Sequence, residues 1–240
     1  MCSTIQRFSR YYNMSSNLQS FLPSYLLPRQ SLKWSVFVAL LVHVSGAIGM
    51  AFFNREFFVG FTAINLLLMF ILLVWNEAEL HFTFLKAILF AFFAGLFSEI
   101  IGVNTGMLFG DYHYSKVFGE KLMDVPILIG LNWFCIVYAA FQVILMMNKS
   151  AQLKRVTIAL LTALMATIFD FVMEPVAIKL DFWQWHTPEI PFLNYACWFS
   201  ISFLIALFFH WIGVKRSNPF AIYLFFTQLL FFVFLALVIS

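Results

Sequence analysis

The chain has 240 residues, 63% of them hydrophobic and only 10% charged, with a mean hydropathy of +0.92. Soluble domains carry about 25% charged residues, and a water-soluble fold of this length has no interior large enough for so many apolar side chains, 33 phenylalanines among them. A net charge of +3 is too small to suggest nucleic acid as a partner, and Cys2, Cys135 and Cys197 show neither metal-ligand spacing nor a paired framework.

Residues 1–32 form a polar and aromatic arm broken by Pro23 and Pro28 and carrying Arg7, Arg10 and Arg29. The arm lacks the apolar core and small-residue cleavage site of a signal peptide, so it is expected to lie at a membrane surface. Residues 33–240 are expected to form one membrane domain. Crossing roughly 30 Å of hydrocarbon takes about 20 apolar residues. Seven runs qualify: Trp34–Phe53, Phe57–Trp75, Phe84–Val103, Pro126–Met147, Val156–Ile178, Phe192–Gly213 and Pro219–Ile239. They lack the short alternating pattern of a membrane β-barrel, which predicts an all-α polytopic bundle of about seven helices. The first two runs are joined by Asn54–Arg55–Glu56. Pro126 and Pro219 stand at predicted helix starts, where a missing N–H costs nothing.

Basic residues predict the orientation. The side holding the N-terminus carries Arg7, Arg10, Arg29, Lys33, Lys86, Lys149, Lys154, Arg155, Lys215 and Arg216; the other carries Arg55, Lys116, Lys121 and Lys179. Ten against four places the N-terminus in the cytoplasm and the C-terminus outside. The unusual loops Asn104–Val125 (NTGMLFGDYHYSKVFGEKLMDV) and Lys179–Pro191 (KLDFWQWHTPEIP) then share the outer face. An aromatic interfacial belt is the default expectation for Trp183 and Trp185.

Ionisable groups within the spans are functional candidates, because burying a charge there costs at least about 2.5–3.5 kcal/mol. Glu99 lies near the outer end of the third run, and Asp170 and Glu174 lie in the outer half of the fifth. The last two are four apart, hence one helical turn apart on one face. Two carboxyls so close in a low-dielectric site cannot both ionise cheaply, so one is expected to hold a proton and serve as a general acid. Pro175 leaves the Phe171 carbonyl without its helical donor and predicts a kink. The alternative is a polar clamp holding the third and fifth helices together. Asn132 and Trp133 supply an amide and a π face near the outer start of the fourth run, where core packing alone is an equal reading for Trp133. Gly102, Gly106 and Gly110 form either a helix-packing stripe or a set of loop hinges.

His43 lies near mid-membrane but at a different depth from His210, which argues against a haem between them. His113 and His186 with Asp111 and Asp181 lack metal-ligand spacing, so no metal site is expected. The last run contains no lysine for a retinal Schiff base, and no nucleotide-binding glycine motif occurs.

Three stretches carry a family resemblance: SEIIGVNTGMLFGDYHYSKVFGEKLMDVPILIGLNW, FDFVMEPVAIKLDFWQW and IPFLNYACWF. Over roughly residues 34–240 the chain resembles the membrane-embedded carotenoid biosynthesis proteins, which include carotenoid 1,2-hydratases. The resemblance implies a membrane-dissolved acyclic carotenoid as substrate, other enzymes of the same pathway as neighbours, an integral cell-membrane location and no cofactor. Hydration of a terminal double bond needs an acid to protonate C2, aromatic faces for the tertiary cation at C1, and one water. On that reading Asp170 and Glu174 supply acid and base. Trp133, Tyr112 and Tyr114 supply π faces, and Glu99, Asn104 and Asn132 position water. Asp111, His113 and Asp181 complete the candidate binding loop. Two alternatives compete. A lycopene-type cyclase would quench the same cation with a neighbouring double bond. A carotenoid-binding or transport protein would use the acids structurally or as a proton relay, for which Glu77 and Glu79 are the inner partners.

The charge bias yields a topological test. A periplasmic-type reporter fused after Ser240 should be active, and a cytoplasmic reporter inserted within the Asn148–Arg155 loop should be active. The reverse pattern would overturn the assignment.

Overall fold

A computed structural model describes residues 30–78, 81–148, 152–215 and 217–239. The arm expected over residues 1–32 therefore lies, up to residue 29, outside the described residues. Eight helices are present among the described residues: α1 (Gln30–Phe52), α2 (Arg55–Val59), α3 (Thr62–Trp75), α4 (Phe82–Thr105), α5 (Leu128–Met147), α6 (Arg155–Lys179), α7 (Phe192–Trp211) and α8 (Pro219–Val238). They make seven spans long and apolar enough to cross a membrane, α2 and α3 together forming the second, Arg55–Trp75. The chain is an all-α polytopic membrane protein.

Asn54 caps α2 by accepting the Phe57 N–H at 3.0 Å. The second helix therefore starts at Arg55, inside the stretch expected to be a connection, and is interrupted at Gly60–Phe61. At the other end of the bundle, Asn218 caps α8 by accepting the Ala221 N–H at 3.2 Å, with Pro219 in the first turn. Around that end Gln142 donates to the Lys215 carbonyl at 3.0 Å, Asn218 donates to the Leu73 carbonyl at 2.8 Å, and the Tyr138 hydroxyl donates to Glu77. These bonds tie the end of α3, α5 and the segment between α7 and α8 together.

α5 is the central helix, packed against α3, α4, α6, α7 and α8 and buried along nearly its whole length. The surrounding helices turn Trp34, Phe37, Leu67, Phe97, Ile168 and Leu230 outward, all strongly exposed. A continuous apolar surface of this kind suits hydrocarbon rather than water. α6 runs unbroken through Pro175.

Four short strands cover one end: β1 (Tyr112–Tyr114), β2 (Lys121–Leu122), β3 (Val125–Pro126) and β4 (Trp183–Trp185). β2 and β3 make a tight hairpin turned by Met123 and Asp124, both at positive φ. This corrects the reading of Pro126 as a helix start. Pro126 pairs with Lys121, and the Ile127 N–H goes to the Glu120 carbonyl at 3.0 Å, so α5 begins only at Leu128. β1 pairs antiparallel with β4, Tyr112 opposite Trp185 and Tyr114 opposite Trp183. This ribbon joins the two unusual loops directly and confirms that they share a face. α4 ends at Thr105 with Gly106 in the left-handed region (φ 67°), which makes Gly106 a helix terminator and excludes a packing stripe continuing to Gly110.

The ribbon can be checked chemically. His113 and Gln184 lie opposite each other in the register, and strand alternation turns both away from the buried face. A His113→Cys/Gln184→Cys variant should form a disulfide on mild oxidation, detected as lost maleimide labelling at these positions. A His113→Cys/Gln184→Cys variant that remains fully labelled would refute the pairing.

Candidate active site

The site is built outward from α4. Gly95, Glu99 and Gly102 lie on one face of that helix. A side chain at Gly95 would collide with the Trp133 indole, so the glycine is the gap into which that ring fits. One turn on, Glu99 accepts the Trp133 indole N–H at 2.9 Å and the Tyr114 hydroxyl at 2.9 Å, and it also accepts the Tyr112 hydroxyl. A further turn on, Gly102 leaves room for Phe109, whose ring would lie 2.8 Å from any Cβ there. Trp133 stacks on Trp198 from α7, with centroids 3.9 Å apart and planes at 13°.

The second half of the site is on α6. Glu174 accepts the indole N–H groups of Trp183 and Trp185, each at 3.1 Å. Asn194 on α7 donates to Asp170 at 2.8 Å and to Glu174 at 3.2 Å. The ribbon makes this possible. Alternation along β1 and β4 turns Tyr112, Tyr114, Trp183 and Trp185 to the buried side, over both carboxyl clusters. Glu99, Asp170 and Glu174 line one small cavity of about 20 Å³ together with Asn132, Trp133 and Asn194. Asp170 is completely buried, and its Oδ1 has no hydrogen-bond partner. Glu99 and Glu174, by contrast, use both carboxyl oxygens as acceptors.

Of the residues singled out in the sequence, Glu99, Asp170, Glu174, Tyr112, Tyr114, Asn132 and Trp133 meet at this cavity. The other four lie outside it. Asn104 donates to the carbonyls of Ile100 and Met123, both at 2.9 Å, and so fastens the end of α4 to the β2–β3 hairpin. Asp181, at φ 55°, accepts Gln184 at 3.0 Å in the turn before β4. Asp111 and His113 are exposed, joined through His186: Asp111 to His186 Nδ1 at 2.7 Å, and His186 Nε2 to His113 at 3.2 Å. Both ring nitrogens of His186 are thus used in a linear chain. Among the described residues, no three His, Cys, Asp or Glu side chains converge as metal ligands would.

The expectation of an interfacial belt fails for Trp183 and Trp185, whose N–H groups point inward to Glu174. Asn194 and Trp198 are site residues that the sequence reading left unassigned. The available signal was an amide inside an apolar span, the same signal that marked the acids.

Burial, and next the charge of Glu99, hold the Tyr112 and Tyr114 phenols well above the usual tyrosine range. Both therefore remain hydrogen-bond donors at neutral pH and well above it.

Fold and site together define a polytopic membrane protein with a buried, aromatic-walled acidic centre. The description "carotenoid biosynthesis protein" belongs to the family model that matches residues 57–240, and the chain is a member of that family. It is 30% identical over 127 residues to the bisanhydrobacterioruberin hydratase of Haloarcula japonica, a match covering 50% of this chain and 42% of that protein. The chain thus spans less than half the length of this relative. No solved structure matches it.

The raised phenol pKa values give a titration test. In folded protein, wild type and a Tyr112→Phe/Tyr114→Phe variant should release the same phenolate absorbance up to about pH 11. A smaller signal from the variant would show that these two phenols titrate normally. The folded-state pKa is the raised one, so the associated stability is intact below about pH 10 and is lost above it as the unfolded chain ionises.

Proposed function

We propose that the chain hydrates the terminal 1,2 double bond of an acyclic carotenoid, with Asp170 as the acid. The observation that carries this reading is the unpartnered Oδ1 of Asp170, a completely buried carboxyl oxygen in an aromatic-walled cavity. Glu99 and Glu174 are engaged by three donors each, the pattern of a carboxylate, which accepts only. Asp170 accepts one, from Asn194. A protonated Asp170 has its O–H free to deliver.

The reaction runs as proton transfer from Asp170 to C2, giving a tertiary cation at C1. Water adds to C1, and the oxonium proton passes to Glu174, leaving a tertiary alcohol. Asn194, bonded to both carboxyls, holds them one helical turn apart, and the proton returns from Glu174 to Asp170 before the next turnover. A cavity of about 20 Å³ accommodates roughly one water. Trp183 and Trp133 offer the cation ring faces. Glu99 fixes Trp133, Tyr112 and Tyr114 in place. The name of the Haloarcula japonica relative, a hydratase, supports the same reaction class. We place the protein in the cell membrane, N-terminus inside, with the ribbon and the site toward the outer leaflet.

The test is product analysis in a lycopene-producing host. Wild type should yield a carotenoid heavier by one water, with oxygen derived from isotopic water. Asp170→Asn should insert normally and lose about 10²–10⁴-fold in rate, the usual worth of general acid catalysis. A product of unchanged mass would indicate cyclisation instead. Full activity in Asp170→Asn would remove this residue from the mechanism.

A further inference from the structure

A second cavity lies beside the acidic one and is far larger, about 390 Å³, between α1, α2–α3, α6 and α8. That size is typical of a small-molecule site. Its walls are mainly apolar, with Phe58, Phe169, Phe231 and Phe232 prominent, and include His43, Thr62, Asn65 and Gln228. At its rim Phe57, Phe61 and Ile64 are also strongly exposed on the lipid-facing surface. The cleft therefore opens sideways toward hydrocarbon. Asn132, Met173 and Trp183 line both cavities and form the wall between them. Met173 is the part of that wall that a rotamer change can open, being unbranched and flexible.

Two features show that the cleft is more than a packing gap. Thr62 and Asn65, one turn apart on α3, line it, and Thr62 Oγ1 and Asn65 Oδ1 are buried with no hydrogen-bond partner. Polar atoms left unsatisfied inside a membrane bundle are costly, so their retention points to a partner that arrives with a ligand. A single hydroxyl group would satisfy both, donating to Asn65 Oδ1 and accepting from the Thr62 hydroxyl. The other feature is Gly46 on the α1 wall. A Cβ there would meet only Phe231, at an ordinary 3.7 Å, so the bare backbone leaves free width in the cleft rather than relieving a clash.

We propose that this cleft is the binding channel for one end of an acyclic isoprenoid chain, and that Thr62 and Asn65 hold a hydroxyl group on that chain outside the acidic cavity. The proposal rests on the hydratase reading for the direction of travel, past Met173 to Asp170. The remainder of the chain stays in lipid, because the cleft is too small for a whole carotenoid. A chain carrying a hydroxyl is then gripped at one point and held in register, whereas a pure hydrocarbon can slide.

The test measures binding apart from turnover. Lycopene and a monohydroxylated lycopene are titrated into detergent-purified protein, and quenching of tryptophan fluorescence is followed. Gly46→Leu should weaken both ligands by about tenfold or more by filling the cleft, and Phe231→Trp, from a different helix, should do the same. Asp170→Asn should bind as wild type does. Wild type should prefer the hydroxylated probe by at least about fivefold, the net worth of one neutral hydrogen bond, and a Thr62→Val/Asn65→Leu variant should erase that preference. Undiminished binding in both well-folded filling variants would overturn the channel even if hydration is confirmed. Lost binding in those variants, together with no hydrated product from wild type, would keep the channel and sink the hydratase reading. Equal wild-type affinity for the two probes would overturn the hydroxyl contact and assign Thr62 and Asn65 to water.

Discussion

A carboxyl group removed from water into hydrocarbon must find hydrogen-bond partners, and this bundle has to satisfy three of them in one place. Glu99, Asp170 and Glu174 draw their donors from four separate segments: Trp133 on α5, Asn194 on α7, and the two strands of the ribbon. None of the residues lining the acidic cavity is a cation. The acids are held by neutral aromatic N–H and O–H groups, which bring bulk and rigidity without a compensating charge. Much of the remaining architecture at this end follows. The two loops pair as strands because only a two-residue alternation delivers Tyr112, Tyr114, Trp183 and Trp185 to the same side.

The same requirement explains the backbone exceptions. Phe109 adopts φ 64°, a strained conformation for a bulky residue, and it is completely enclosed beside Trp133 and Tyr112. Its N–H is taken by Cys197 Sγ at 3.3 Å, so the turn is anchored to α7. Gly110 follows at φ 127°, where a Cβ would lie 2.8 Å from Pro191 Cγ. The turn after α4 thus leads the chain into β1, where it meets β4 and brings Tyr112 and Tyr114 to Glu99. Its strain is offset by the donors it brings to that carboxyl.

Much of this was legible in the sequence, for identifiable reasons. Seven spans follow from run length alone, because lipid leaves the backbone no alternative to helix. The three acids stand out because their burial is so costly that composition betrays them. What was hidden shares a cause: each missed feature depends on which of two faces a residue takes after the chain has packed. Trp183 and Trp185 have the composition of an interfacial belt, and only the β1–β4 register turns them to Glu174. Pro126 is as good at a helix start as in a hairpin, and the positive φ values at Met123 and Asp124 decide between them. Asn104 at the end of α4, and Asp111, His113 and Asp181 in the loops beyond the helices, lie near the site in sequence yet point to carbonyls, to solvent or into a turn. The break in the second span at Gly60–Phe61 leaves the hydropathy profile unmarked.

The three acids also differ in what their surroundings allow. The clamp reading fits Glu99 well: its three bonds hold α4 to α5 and to β1, whereas Glu174 shares the Asn194 amide with Asp170. Asp170 differs on the one count that matters for an acid, an oxygen without a partner. On the proposed reading this sorting also favours alcohol over ring. A cation formed at the wall between the two cavities faces a space for about one water on the carboxyl side. On the other side lies the mainly apolar cleft of about 390 Å³ proposed above to take the chain end. Cyclisation requires the chain to fold back so that a second double bond reaches the cation, and the carboxyl-side cavity of about 20 Å³ has no room for that fold. Capture by a single water admitted to that cavity is then the shortest path, with Glu174 lining it to take the proton.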